Sequence, residues 1–268
     1  MSDQAVYLFA LCRTGVSHSF LREGMQRPEN GDAIESLGEP VVVDCTDRLS
    51  AVVSTVDREA WTGDEAASNM RSLAWVAPRA TRHEEVVEAV METGPVYPAR
   101  FGTLFSSSAR LRVVAKEHED VVCNHLDHVD GAQEWAVKLM LDRDRAVQQM
   151  SGDEEPTSGT AYLRQKVQER EARNEVDAWL DEVTDAVFDT LTLLSRDAVM
   201  IEARDRPDDS REVAAHAAFL VSNDNTDAFF QAVDSARSRL ADNGLDVECT
   251  GPWPPYSFRP SLEDTQVK

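Results

Sequence analysis

Hydrophobic residues in this chain follow two rhythms, short unbroken or alternating runs and longer stretches with apolar positions three and four apart. Val6-Tyr7-Leu8-Phe9-Ala10-Leu11-Cys12 is an unbroken run closed by Arg13-Thr14-Gly15, which predicts a central buried strand. Val41 to Cys45 and Leu49 to Val56 are β-branched runs separated by Thr46-Asp47-Arg48, a hairpin pattern, and Glu23 to Glu39 reads as a polar loop. Helical signals follow from Asp64 to Val76. Pro78 is expected to divide that helix from a second one, started by the capping-box pattern Thr81-Arg82-His83-Glu84 and burying Val86, Val87 and Val90. Val96 to Thr103 reads as a strand that Pro98 confines to an edge or a bulge. Ser106-Ser107-Ser108 caps a helix running to about His128, and Trp135, Val137, Leu139 and Leu141 alternate with Glu134, Ala136, Lys138 and Met140 as in a one-sided strand.

The pattern lapses between Arg143 and Gly159, a polar stretch with Gly152 and Pro156, so the domain junction is placed there, giving domains 1–142 and 143–268. From Ala161 to Leu194 a stripe of Val176, Trp179, Leu180, Val183, Val187, Leu191 and Leu194 predicts an amphipathic helix about 50 Å long, needing a partner in its own domain or in another subunit. Strands are expected at Ala198 to Ala203, at the alanine-rich Ala214 to Val221 and at Leu245 to Thr250, with a helix from Thr226 to Asn243 stopped by Gly244. The fold class is α+β, two domains in which helices return antiparallel strands to a sheet, at least one of them ferredoxin-like.

The last apolar stretch, Thr250-Gly251-Pro252-Trp253-Pro254-Pro255-Tyr256-Ser257-Phe258, is stiffened by three prolines into an extended tail, neither helix nor central strand. It reads either as a clamp packing Trp253 and Phe258 onto the body or as a preformed recognition surface for another protein.

Composition narrows the function. The 268 residues carry 49 acidic against 27 basic side chains, a formal net charge of −22, and Lys116, Lys138, Lys166 and Lys268 are the only lysines. Nucleic-acid binding needs a concentrated basic face, which is not visible; the acid excess reads as a salt-adapted or simply a self-repelling surface. No run is long enough to span a membrane and no signal peptide is discernible, so a cytoplasmic location is expected. Cys12, Cys45, Cys123 and Cys249 are isolated and read as buried free thiols.

Motifs for phosphate loops, dinucleotide binding, serine hydrolases and zinc proteases are all missing, so those enzyme readings have no anchor and an enzyme is the minority reading. Two constellations remain. His118, Cys123, His125, Asp127 and His128 would suit a metal if one helix face gathered them, although a solvated polar face is the simpler reading. Arg100, Glu134 and Lys138 would form an ion-paired site if their strands adjoined.

Tyr7-Leu8-Phe9, Leu49-Ser50-Ala51-Val52-Val53-Ser54, Pro95-Val96-Tyr97-Pro98-Ala99-Arg100-Phe101-Gly102-Thr103-Leu104-Phe105, Glu134-Trp135-Ala136-Val137-Lys138, Ser158-Gly159-Thr160-Ala161-Tyr162-Leu163, Ala218-Phe219-Leu220-Val221 and Gly251 to Phe258 occur in an order that resembles the GvpL/GvpF family of gas vesicle proteins. The resemblance implies a non-enzymatic accessory or minor structural protein, associated with gas vesicles, that binds the hydrophobic shell protein and other accessory proteins, without cofactor. Candidate partner-binding residues are Arg100 and Phe101 in the strand segment, Val183 and Val187 on the long helix, and Trp253, Tyr256 and Phe258 in the tail. The alternative is a small-molecule or metal-binding regulatory protein on the same α+β scaffold.

Overall fold

The computed structural model describes residues 4–15, 37–151, 159–202 and 211–262. The chain divides into two units. One runs to Gly131 and takes up the chain again from Pro254; the other comprises Ala132 to Trp253. The loop expected within 23–39 lies mostly outside the described residues.

In the first unit β1 (Gln4–Arg13) is the central strand, as its apolar run predicts. It pairs antiparallel with β3 (Leu49–Asp57), which in turn pairs with β2 (Val41–Asp44) in the expected hairpin. The other edge of β1 is taken by β4 (Val96–Pro98) and β5 (Leu104–Phe105). Pro98 therefore sits on an edge strand, where its missing N–H costs nothing.

Short helices α1 (Arg58–Thr62) and α2 (Ala66–Asn69) lead to α3 (Leu73–Met91). Here the expected division at Pro78 is corrected, because α3 runs through it. Pro78 deprives only the Ala74 carbonyl of its helical partner, and Ala74 is exposed to water. Conversely, the helix expected up to His128 breaks at His118 into α4 (Ser108–Glu117), capped by Ser107, and α5 (Glu119–Val129). Both faces of the sheet are covered: Tyr7, Phe9, Val86, Val87 and Val90 share one core, and Leu8, Leu11, Leu111, Val122 and Leu126 share the other.

In the second unit the sheet order is β7 (Asp197–Met200), β8 (Glu212–Ser222), β6 (Ala132–Leu141), β9 (Leu245–Trp253), all antiparallel neighbours. Because β6 pairs along its whole length with β8 and β9, the unit boundary falls at Gly131 rather than at the expected 142. The stretch read as a linker begins with a helix, α6 (Arg143–Ser151): Asp142 caps it by accepting from the Arg145 N–H at 3.1 Å, and Ala146 and Val147 are buried.

The long helix α7 (Gly159–Leu193) and α8 (Thr226–Leu240) cover one face of this sheet. Val176, Val187 and Leu191 pack there with Phe229, Val233, Phe219 and Leu139, and Val183 packs against the same core. Val187 is only 2% exposed. The partner of the stripe is thus its own unit, which overturns the reading of Val183 and Val187 as a face open to another protein.

Candidate functional site

The edge of β1 is interrupted on both sides near Phe9. On the β3 side Leu8 pairs with Val53 and Ala10 with Val52, leaving Phe9 as an extra residue, so that Phe9 and Ala10 both turn toward the α3 core. On the other side five residues, Ala99 to Thr103, stand opposite two, Leu8 and Phe9, between the paired Ala10–Pro98 and Tyr7–Leu104. The Ala99 N–H donates to Phe9 O and the Leu8 N–H to Thr103 O, both at 2.9 Å, and the excess chain projects as a turn closed by Thr103 N–H to Arg100 O at 3.0 Å. Gly102 takes φ of 83°, the left-handed conformation that the third residue of such a turn needs.

A buried polar relay fixes this turn from beneath. Nε2 of His83 lies 3.2 Å from the Ala99 carbonyl, and Nδ1 lies 2.9 Å from the Tyr7 hydroxyl. A carbonyl only accepts, so Nε2 carries the hydrogen and Nδ1 accepts from Tyr7. The Tyr7 oxygen accepts in turn from the Gly102 N–H at 3.2 Å. His83 is 2% exposed, and burial pushes its pKa down to about 4, against the opposing pull of the Ala99 carbonyl. Burial raises the Tyr7 pKa, the Gly102 N–H working the other way. Both are therefore neutral at pH 7, as the relay requires.

Above the relay, Phe101 lies 5.5 Å from Trp61 and 6.0 Å from His83 between ring centroids, and Trp61 meets Trp75 at 4.9 Å. Met70, beside Gly102 at the edge of this group, is 46% exposed. Arg100 is exposed at the turn and Phe101 half-buried.

The tail departs from expectation. Gly251, Pro252 and Trp253 extend β9 along the sheet edge, and Trp253 remains 39% exposed, its Nε1 donating to Thr250 Oγ1 at 3.2 Å. Trp253 is thus not the docked anchor. From Pro254 the chain belongs to the first unit, where buried Pro254 and Pro255 precede a half-buried Tyr256 whose hydroxyl donates to Glu84 Oε2 at 3.1 Å. Phe258 is half-buried there, and the Pro260 carbonyl accepts from Tyr97 at 2.7 Å. Of the seven candidates, the turn brings together Arg100 and Phe101, the same unit holds Tyr256 and Phe258, and Val183, Val187 and Trp253 lie in the other unit.

The remaining constellations do not assemble. Arg100 lies in the turn between β4 and β5 of the first sheet whereas Glu134 and Lys138 lie on β6 of the second, so the strands expected to adjoin belong to different sheets. His125 is buried, donates from Nε2 to Val96 O at 3.2 Å and has its pKa pushed down to about 4 by burial. Cys123 is buried, Asp127 pairs with Arg13, and among the described residues no three His, Cys, Asp or Glu side chains gather in a way that could hold a metal. The four cysteines are free thiols.

The sequence reading missed Tyr7, His83 and Gly102 as a set. One signal was available, since His83, Val86, Val87 and Val90 fall on one helical stripe, which places His83 on the buried face.

The model of the family described as "Gas vesicle synthesis protein GvpL/GvpF" matches residues 5–260. The chain belongs to the GvpL/GvpF family. Relatives include gas vesicle protein L of Streptomyces sp. (strain CB03234), 32% identical over 75% of this chain and 77% of the relative, and gas vesicle protein F of the same organism, 28% identical over 66% and 75%. The crystal structure of gas vesicle protein GvpF from Anabaena sp. PCC7120 shares the fold, with a TM-score of 0.64 at 17% identity over 99% of this chain and 97% of that one. That of GvpF from Microcystis aeruginosa does so with the same TM-score at 15% identity, over 96% and 99%. The mixed helix-and-sheet fold is therefore that of the GvpF structures, and membership of the GvpL/GvpF family supports a role in gas vesicle formation. Among the described residues no helix is long and apolar enough to cross a membrane.

Proposed function

We propose that this GvpL/GvpF family member is a non-enzymatic accessory or minor structural protein that binds the hydrophobic gas vesicle shell protein, together with other accessory proteins, and helps it assemble in the cytoplasm. The observation that carries the reading is the family match from residue 5 to residue 260, across both units. A shell subunit that turns an apolar face to gas aggregates in water unless that face is covered before assembly. The exposed Met70 beside the Phe101 turn offers an apolar surface for such a partner, held on a rigid support by the Tyr7–His83 relay. The ferredoxin-like reading of the second unit is supported by its order of elements, strand, helix, strand, strand, helix, strand, with α6 added before the long helix.

The test is deletion of the gene in its host, with co-expression of the chain and the shell protein. Lost or misshapen vesicles with the shell protein still produced, and a complex recovered on co-expression, are the expected results. Vesicles normal in number and shape would sink the proposal.

A further inference from the structure

We infer that a cleft beside the Arg100–Thr103 turn binds an acidic, apolar peptide segment of another gas vesicle protein, its carboxylate held by Arg100 and Arg259; this rests on the protein-binding role proposed above. The cleft measures about 620 Å³; Phe101 and Leu262 line it half-buried, over a floor formed by the buried Leu8, Leu11, Phe105, Leu111 and Val114. That volume lies within the range of ordinary binding clefts. No Asp or Glu lines it, in a chain with 49 of them, whereas Arg100 and Arg259 both do.

Several arginines elsewhere are paired, whereas Arg71, Arg79 and Arg112 are held by backbone carbonyls. Arg13, Arg48, Arg143 and Arg211 each have a carboxylate partner. Among the described residues neither Arg100 nor Arg259 has one. Arg259 lies over the Tyr97 ring, 5.8 Å from its centroid, and burial pushes its pKa down, with the charge of Arg100 adding to the effect and Tyr97 opposing it. Arg259, half-buried beside an apolar surface, lacks the full hydration of open water, and the like charge of the exposed Arg100 adds to that cost, which a shared anion removes.

The chemistry of the lining selects the anion. A nucleic acid or inorganic phosphate would leave the apolar residues unused, and a polyanion would meet a chain of net charge −22. A carboxylate flanked by aliphatic side chains satisfies both the guanidinium pair and the apolar lining.

The test is a fluorescence-anisotropy titration of the full chain with overlapping short peptides covering the shell protein and the other gas vesicle proteins of the host. Peptides that bind are expected to carry Asp or Glu beside Leu, Ile or Val. Replacing that acid by its amide, or Arg100→Gln, should weaken binding roughly tenfold, the scale of one lost charged hydrogen bond. Arg100 is exposed, so R100Q keeps the melting temperature of the wild type; R259Q supplies the second arm. The proposal is overturned if no peptide binds, if R100Q binds like wild type, or if sodium octanoate competes as strongly as the best peptide, which would make the cleft a small-acid site. It is equally overturned if binding needs deletion of residues 263–268, which would make the chain's own acidic end the occupant. Intact shell protein retained equally by wild type and R100Q would preserve the broader function and remove the cleft from it; peptides bound with no shell protein retained would do the reverse.

Discussion

The two sheets of this molecule solve burial in opposite ways. β1 sits between two layers of helix, so Tyr7, Leu8, Phe9, Leu11 and Cys12 are buried regardless of which face they take. In the second unit the helices lie on one face, and β6 sends Trp135, Val137, Leu139 and Leu141 to them while Lys138 looks the other way, opposite His216 and Glu248. The sandwiched sheet is also where polar side chains are buried for use: Tyr7 and His83 hold a projecting turn from inside the core. The helix-covering core of the second unit is built from aliphatic and aromatic residues throughout. The double cover of the first sheet supplies low-dielectric surroundings in which a few hydrogen bonds hold a loop strictly.

The sharpest way to break this contrast is a charge in the second core. Val187→Asp should cost about 4 kcal/mol by burying an unpaired carboxylate, read as a large fall in melting temperature by circular dichroism. A binding defect with unchanged melting would instead return the long helix to the partner surface.

Acid separates the units next. His83 has a folded pKa of about 4, below its ordinary 6.5, so the unfolded chain takes up the proton first and stability falls as pH drops from about 6.5 toward 4. Its share is roughly 3 kcal/mol, present in full above pH 6.5, and His125 in the same unit acts in the same direction. Urea unfolding followed across this pH range, with histidine resonances assigned to each unit, should show the first unit weakening. Titration of His83 near 6.5 in the folded protein would contradict the buried relay.

Gly102→Ala should cost about 1–2 kcal/mol through its left-handed φ alone, since the added methyl group would meet the Trp61 ring at an ordinary 3.6 Å. Denaturant midpoints of G102A and the wild type measure this directly. Smallest of all, Tyr256→Phe should lose about 1 kcal/mol with its Glu84 hydrogen bond, and Trp253→Ala less than that, since Trp253 is already part-exposed. The reverse order in thermal melts would make Trp253 the anchor of the tail.

What could be read beforehand follows the same contrast. The unbroken run of β1 and the alternation of β6 declare their surroundings directly, and the stripe from Val176 to Leu191 declares a helix of the observed length. Pro78 and the Arg143 stretch misled because a proline facing water costs a helix little and because Asp142 caps a turn whose buried content is only Ala146 and Val147. The relay was illegible as a set, since Tyr7, His83 and Gly102 are far apart in sequence and each has a common local explanation. Arg259 gave no signal of its own, because only the return of the chain from Pro254 brings it to Tyr97.

That return also sets a timetable for synthesis. Pro254 to Leu262 complete the first unit, through Tyr256 to Glu84 and Tyr97 to Pro260, yet they leave the ribosome after all of Ala132 to Trp253. The usual order, in which the N-terminal unit folds first, is inverted here: the second unit is contiguous and can close while the first still waits for its final segment. The surface around the Arg100 turn, with Arg259 beside it, is therefore finished only after the whole second unit has been made. If that surface binds the partner proposed above, a nascent chain cannot engage it before the second unit has been made.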